Sequence, residues 1–157
     1  MKLVSWNVNG LRAIERKGAD KWLWDNDFDI IAIQETKSNP EQLSDQLQKP
    51  SGYNAFFHSA EVRKGYSGVA LYVKQSPQEV ISGLPQASFT DQGRQLTAVY
   101  DDFVICNVQA KSNFSQAKLR HHRRKIFRAR FFKPLLPPCS NLSLGIRLTR
   151  VKRLSRK

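Results

Sequence analysis

Apolar and polar positions alternate over Lys2–Val8, a stretch rich in β-formers, and this pattern predicts a strand. Asn9-Gly10 then signals a turn, and Leu11, Ala13 and Ile14 fall on a helical stretch that Gly18 interrupts. Helical character resumes over Ala19–Asn26, which carries Trp22 and Leu23. Asp29–Gln34 is a short continuous apolar run, the mark of a strand buried on both faces. Asn39-Pro40-Glu41 opens a short helix with proline in its first turn, where a missing N–H costs least. Tyr53–His58, Val69–Lys74, Glu79–Ile81, Gln95–Tyr100 and Phe103–Val108 read as further strands separated by Gly, Pro and Asp-Gln-Gly clusters. Early helices followed by strands in succession indicate an α+β or layered α/β protein. Beyond Val108 the pattern decays. Phe114–Phe132 matches a basic helix only loosely, with Phe114, Leu119, Ile126, Phe127 and Phe131 partly on one side. Pro134, Pro137 and Pro138 break any helix, and Gly145–Lys157 reads as a basic terminus.

Length and composition narrow the class. The 157 residues suffice for one ordinary domain, and 40% hydrophobic with 25% charged content is that of a globular protein. The longest apolar runs, such as Ile30–Ile33, are far too short to span a bilayer, and Met1–Trp6 reaches polar Asn7 without a signal-peptide core. Cys106 and Cys139 have neither metal-site spacing nor the density of a disulfide scaffold, so a reducing cytoplasm is the expected compartment. No membrane partner is expected.

Charge changes the picture more. The net charge of +13 points to nucleic acid. Its distribution is uneven: residues 1–108 hold 11 Lys+Arg against 13 Asp+Glu, while residues 109–157 hold 15 Lys+Arg and no acid. Two compositions are joined in one chain.

Candidate chemistry sits at two strand ends. Trp6-Asn7-Val8-Asn9-Gly10-Leu11-Arg12-Ala13 delivers polar side chains at the end of a strand just before a glycine turn. Ile33-Gln34-Glu35-Thr36-Lys37 ends a buried strand in Glu-Thr-Lys. In layered α/β folds ligands gather at the carboxyl ends of strands. An Asn7 amide oxygen beside a Glu35 carboxylate would suit a hard cation such as Mg²⁺, with waters and a substrate phosphate completing its octahedron. Singly, a strand-end Glu is most often a solvated rim residue and an Asn before Gly most often a turn.

Together, WNVNGLRA and IAIQETK, then GYSGVALYVK (Gly65–Lys74) and GRQLTAVY (Gly93–Tyr100), resemble the exonuclease III and apurinic/apyrimidinic endonuclease branch of the endonuclease/exonuclease/phosphatase superfamily. The resemblance runs in order over residues 1–108. It implies an α/β fold, a four-layer sandwich of two β-sheets flanked by helices, of which this chain supplies roughly the first sheet and its helices. It implies metal-dependent phosphodiester hydrolysis on double-stranded DNA, by incision at abasic sites and by 3′-to-5′ exonuclease action in base excision repair. The implied cofactor is Mg²⁺, with Mn²⁺ able to substitute. Position by position, Glu35 resembles the family's metal carboxylate with Asn7 beside it, and Asn9 and Lys37 match residues lining the metal and phosphate pocket. Arg12, Tyr66 and Arg94 fall in segments that in such enzymes approach the DNA backbone. An aromatic after Gly and before a strand, as at Tyr66, is more often a packing residue, and Arg12 equally suits an ordinary helix surface.

The chain also departs from that pattern. The strand ending Cys106-Asn107-Val108 would continue into an aromatic-Pro turn bearing an active-site tyrosine, and Gln109 stands at that position. Neither Gly-Asp-x-Asn nor Ser-Asp-His is present, and His121 and His122 lie in a basic run without a carboxylate to orient them. The expected organisation is therefore the N-terminal half of the family domain in 1–108 and a basic non-family tail in 109–157, produced by a change of reading frame or a truncation. On this reading the chain alone is incomplete and inactive. The alternatives are a catalytically dead, basic DNA-binding fragment and, third, a phosphatase of the same superfamily.

Overall fold

The computed structural model describes residues 1–83 and 92–109, together with the backbone of strands at 125–128 and 145–150. Strand β1 (Lys2–Asn7) leads through the turn at Asn9-Gly10 into helix α1 (Leu11–Arg16), then α2 (Lys21–Asp25) and strand β2 (Ile30–Gln34). A 3₁₀ turn at Pro40–Gln42 carries proline at its start, as expected, and is followed by α3 (Asp45–Gln48), which the sequence pattern does not announce. The remaining strands are β3 (Asn54–His58), β4 (Val69–Val73), β5 (Glu79–Ser82), β6 (Gln95–Val99), β7 (Phe103–Val108), β8 (Lys125–Arg128) and β9 (Gly145–Arg150).

These strands build two sheets, in the orders β3-β4-β2-β1-β8 and β5-β6-β7-β9. The first is mixed, with β1 and β2 parallel and its other pairs antiparallel. The second is antiparallel throughout. The chain thus contributes strands to both sheets, not mainly to the first as its sequence suggests. Residues 125–128 also differ from expectation. They lie in a strand paired with β1 and not in a helix, because β1 offers an open row of backbone donors and acceptors that any extended segment can satisfy. The rest of the suggested helix lies outside the described residues.

Period-two alternation explains why the apolar runs of β2 and β4 have no polar face. Ile31 and Ile33 with Ala70 and Tyr72 face the helices, packing with Leu11, Ile14, Leu23, Phe28 and Leu47. Ile30 and Ala32 with Val69, Leu71 and Val73 face the second sheet and meet Leu96, Ala98, Tyr100 and Ile105. Both faces of the first sheet are therefore covered, in the layered α/β arrangement. Among the described residues no helix is long and apolar enough to cross a membrane.

Candidate phosphate-facing and metal site

Because β1 and β2 run parallel, Asn7 pairs with Gln34 and their carboxyl ends emerge at one edge of the sheet. Antiparallel β4 begins at that edge, so the Gly65–Gly68 loop arrives there too. Backbone bonds then tie five segments together. Gly10 N–H donates to Glu35 O (2.7 Å), Leu11 N–H to Thr36 O (2.9 Å), Thr36 N–H to Gly68 O (3.0 Å) and Lys37 N–H to Ser67 O (2.9 Å). Gly68 N–H donates to Gly93 O (3.1 Å), and Gln109 N–H to Arg94 O (2.8 Å). The second sheet, through Gly93, Arg94 and Gln109, is thereby tied to the strand ends of the first.

The approach is close enough to require glycine. A Cβ on Gly93 (φ 59°) would lie 2.5 Å from Ala60 N and 2.8 Å from His58 O, and one on Gly68 (φ 91°) would overlap Thr36 Oγ1. Four non-glycine residues here, Asn9 (φ 53°), Glu35 (58°), Lys37 (51°) and Ser67 (50°), also adopt the left-handed conformation. Such backbone costs on the order of 1 kcal/mol or more per residue, and it collects where a side chain must be aimed in a particular direction.

Glu35, Asn7, Asn9 and Lys37 are brought together. Asn7 Nδ2 donates to Glu35 Oε1 at 2.7 Å, and Asn7 Oδ1 accepts from Asn9 N–H at 3.3 Å. Lys37 Nζ donates to Asn9 Oδ1 and stands 3.4 Å from Glu35 Oε2. Asn7 therefore presents its amide nitrogen, not its oxygen, to the carboxylate, the reverse of the arrangement expected from sequence. Lys37 and Glu35 remain accessible, their side chains 39% and 26% exposed.

Arg94 and Tyr66 form a second unit beside the first. The Arg94 guanidinium lies 5.2 Å from the Tyr66 ring centroid; its Nη2 donates to Tyr66 Oη at 2.5 Å and its Nε to Gln92 Oε1 at 2.7 Å. Arg94 is buried and Tyr66 half-buried. Chain connectivity links this unit to the first, since Tyr66 precedes Ser67 and Arg94 follows Gly93. Arg12 is exposed on the first turn of α1, next to Leu11 and its bond to Thr36. Gln109 forms part of the floor: it is buried, and its Oε1 accepts from Ser67 Oγ at 2.7 Å.

Sequence reasoning missed one buried polar cluster beneath the edge. Gln34 Nε2 donates to Asn107 Oδ1 (2.7 Å) and Ser5 Oγ (3.2 Å), while Asn107 Nδ2 donates to Ile33 O and Ala70 O (both 2.9 Å). A signal was there: Gln34 and Asn107 each interrupt an otherwise apolar strand near its end.

The donor set bears on a cation. Glu35 offers one solvent-facing carboxylate oxygen, a hard donor, while the amide oxygens of Asn7 and Asn9 are engaged by Asn9 N–H and Lys37 Nζ. Mg²⁺ accepts one carboxylate when waters and a substrate phosphate supply the remaining positions. The residues present thus fit a weakly held divalent ion. Among the described residues there is no group of three or more His, Cys, Asp or Glu side chains that would grip one tightly.

The sequence profile of the endonuclease/exonuclease/phosphatase family matches residues 4–147. The chain is 41% identical over 109 residues to an exodeoxyribonuclease of Bacillus subtilis, covering 69% of this chain and 42% of that protein. It is 35% identical over 107 residues to a DNA-(apurinic or apyrimidinic site) endonuclease of Dictyostelium discoideum, covering 68% and 29%. Among solved structures, a 3′-5′ exonuclease from Neisseria meningitidis superposes with a TM-score of 0.58 at 30% identity, over 69% of this chain and 41% of that one. The chain spans less than half the length of each of these relatives.

Proposed function

The chain belongs to the endonuclease/exonuclease/phosphatase family, and from that premise we propose that residues 1–108 carry the metal- and phosphate-facing part of a DNA-repair nuclease site of the exonuclease III type. The observation that carries this reading is the Glu35 carboxylate, held by Asn7 on one oxygen and flanked by Lys37 on the other, at an edge where five chain segments converge.

Each group has a role that follows from its chemistry. Asn7 fixes the rotamer of Glu35, leaving Oε2 toward solvent as a ligand for Mg²⁺ or Mn²⁺. Such an ion, when bound, withdraws charge from a phosphodiester and eases attack by water. Lys37, steered by Asn9, supplies a cation to a phosphate non-bridging oxygen. Arg94 is buried, with Nη2 and Nε bonded to Tyr66 and Gln92, and adds positive potential to this edge from beneath, while exposed Arg12 on α1 extends the positive rim toward the duplex. The substrate is double-stranded DNA, cut 5′ to abasic sites or shortened from its 3′ end.

The groups that the resembled family uses to activate the water are not matched in this sequence. Gln109 stands where the resembled family carries a tyrosine, and residues 109–157 hold no carboxylate. An amide engaged with Ser67 cannot transfer a proton at neutral pH. This chain therefore binds without turning over. A second reading, a basic DNA-binding fragment, is favoured by the 15 Lys+Arg of residues 109–157.

Titration of an abasic duplex with and without Mg²⁺ separates the two. Mg²⁺-enhanced binding that Glu35→Gln removes supports the nuclease half-site. Binding indifferent to both Mg²⁺ and Glu35, and lost on deletion of residues 109–157, favours the fragment reading.

A further inference from the structure

The cluster formed by Asn107, Gln34 and Ser5 lies beneath the proposed site and has no part in it so far. Asn107 comes from the second sheet, yet it is completely buried and its amide is spent on the first. Its Nδ2 donates to Ile33 O and Ala70 O, carbonyls of residues directly paired across β2 and β4, both at 2.9 Å. Its Oδ1 accepts from Gln34 Nε2 at 2.7 Å. Gln34 is 2% exposed, and Ser5 Oγ on β1 is a further acceptor for Nε2 at 3.2 Å. A single amide from β7 thus engages β2 and β4, and through Gln34 reaches β1.

The position of this clamp matters. Gln34 immediately precedes Glu35, where the backbone turns into the left-handed region with φ 58°. Asn7, which orients the Glu35 carboxylate, is the β1 residue paired with Gln34. A rotation of the Gln34 peptide would swing Glu35 and separate it from Asn7. A buried amide such as Asn107, with both its Nδ2 and its Oδ1 engaged, has few alternative arrangements, so it fixes neighbouring geometry.

We infer that Asn107 is a positioning residue for Glu35, acting through Gln34 to hold the carboxylate in the orientation that takes a divalent cation. The inference rests on the reading of Glu35 as a cation-facing carboxylate. Groups that act through a ligand's neighbours change metal affinity by about tenfold when removed, even though they never touch the ion.

The test is Mn²⁺ binding by the full chain, followed by electron paramagnetic resonance of free Mn²⁺. Four variants are compared with the parent: Asn107→Ala, Gln34→Met, Glu35→Gln and Ile105→Ala. Ile105 lies on the same face of β7, two residues away and completely buried, so Ile105→Ala reports what loss of packing alone does. Asn107→Ala and Gln34→Met are each expected to weaken Mn²⁺ about tenfold, and Glu35→Gln to remove the site. Ile105→Ala is expected to leave the dissociation constant within about twofold of the parent despite lower thermal stability, since its side chain bonds to neither Gln34 nor Glu35. Gln34→Met keeps the test open if Asn107→Ala does not fold. Unchanged affinity in the clamp variants, with Glu35→Gln inactive in binding, would overturn the positioning role alone. Equal weakening by Ile105→Ala would reduce the clamp to general packing and overturn it too. Undiminished binding in Glu35→Gln would remove the underlying reading of Glu35, and the inference with it.

Discussion

Replacing Gly93 with alanine should be among the most damaging single-methyl changes in the chain. Gly93 has φ 59°, and a Cβ there would press on backbone atoms of Ser59, Ala60 and His58, including Ala60 N at 2.5 Å and His58 O at 2.8 Å. These atoms are main chain, so no side-chain rotation relieves the overlap. The left-handed conformation costs an alanine about 1 kcal/mol, and forcing a methyl into occupied space adds about 1–3 kcal/mol. For a chain of this length each kcal/mol lowers Tm by about 2–4 °C. Gly93→Ala should therefore depress Tm by on the order of 10 °C. Gly18 provides the control, with φ 63° and nothing within 4 Å of the added Cβ, so Gly18→Ala carries only the conformational cost of about 1 kcal/mol. Thermal melts followed by circular dichroism of both variants isolate the steric part by difference. Equal Tm losses would mean that Gly93 does not approach Ser59–Ala60 closely, which would contradict the close approach of the two sheets at this point.

Burial pushes the Tyr100 hydroxyl up to about 12, from an ordinary value of 10.0, and its Oη donates to Gln75 O at 3.0 Å. The folded state thus holds this proton more tightly than the unfolded chain, so the stability it contributes is full below about pH 10 and lost as pH rises toward 12; Tyr100→Phe should flatten the alkaline decline of Tm, and an unchanged decline would contradict this. DNA affinity should fall steeply with salt because the 15 Lys+Arg of residues 109–157 displace counterions, and deleting residues 109–157 should lower the slope of log affinity against log salt by several units. An unchanged slope would place the main phosphate contacts in residues 1–108. Translating the coding DNA in the other two frames after codon 108 should restore an aromatic-Pro turn, Gly-Asp-x-Asn and Ser-Asp-His; if neither frame does, residues 109–157 were acquired or selected as they stand.

Much of this was legible because local chemistry and tertiary structure agree. The strands of residues 1–108 show as β-rich runs bounded by Gly, Pro and Asp, and the Asn9-Gly10 turn and the Pro40 start are encoded by residues suited to those backbones. Asn7 and Glu35 share an edge because two parallel strands end there. Other features depend on contacts distant in sequence. The Gln34–Asn107 bond spans 73 residues, and no local pattern identifies its partner. The direction of the Asn7 amide is set jointly by Glu35, which accepts from Nδ2, and by Asn9 N–H, which donates to Oδ1. The strand at 125–128 forms by backbone pairing with the open edge of β1, a contact distant in sequence, which is why periodicity misled there. Backbone pairing of that kind is tolerant of sequence, so edge strands at 125–128 and 145–150 are compatible with a re-read frame.

We propose that this chain holds the cation- and phosphate-facing part of a nuclease site without the water-activating groups of the resembled family. The most direct test is turnover of a labelled duplex bearing one abasic site, in Mg²⁺, with the purified chain and with Glu35→Gln. The parent chain is expected to show Mg²⁺-dependent binding that needs Glu35, and neither sample to show strand incision or 3′ shortening above the protein-free control. Multiple turnover by the parent chain that Glu35→Gln abolishes would contradict the proposal, since a general base would then have to lie among the residues present.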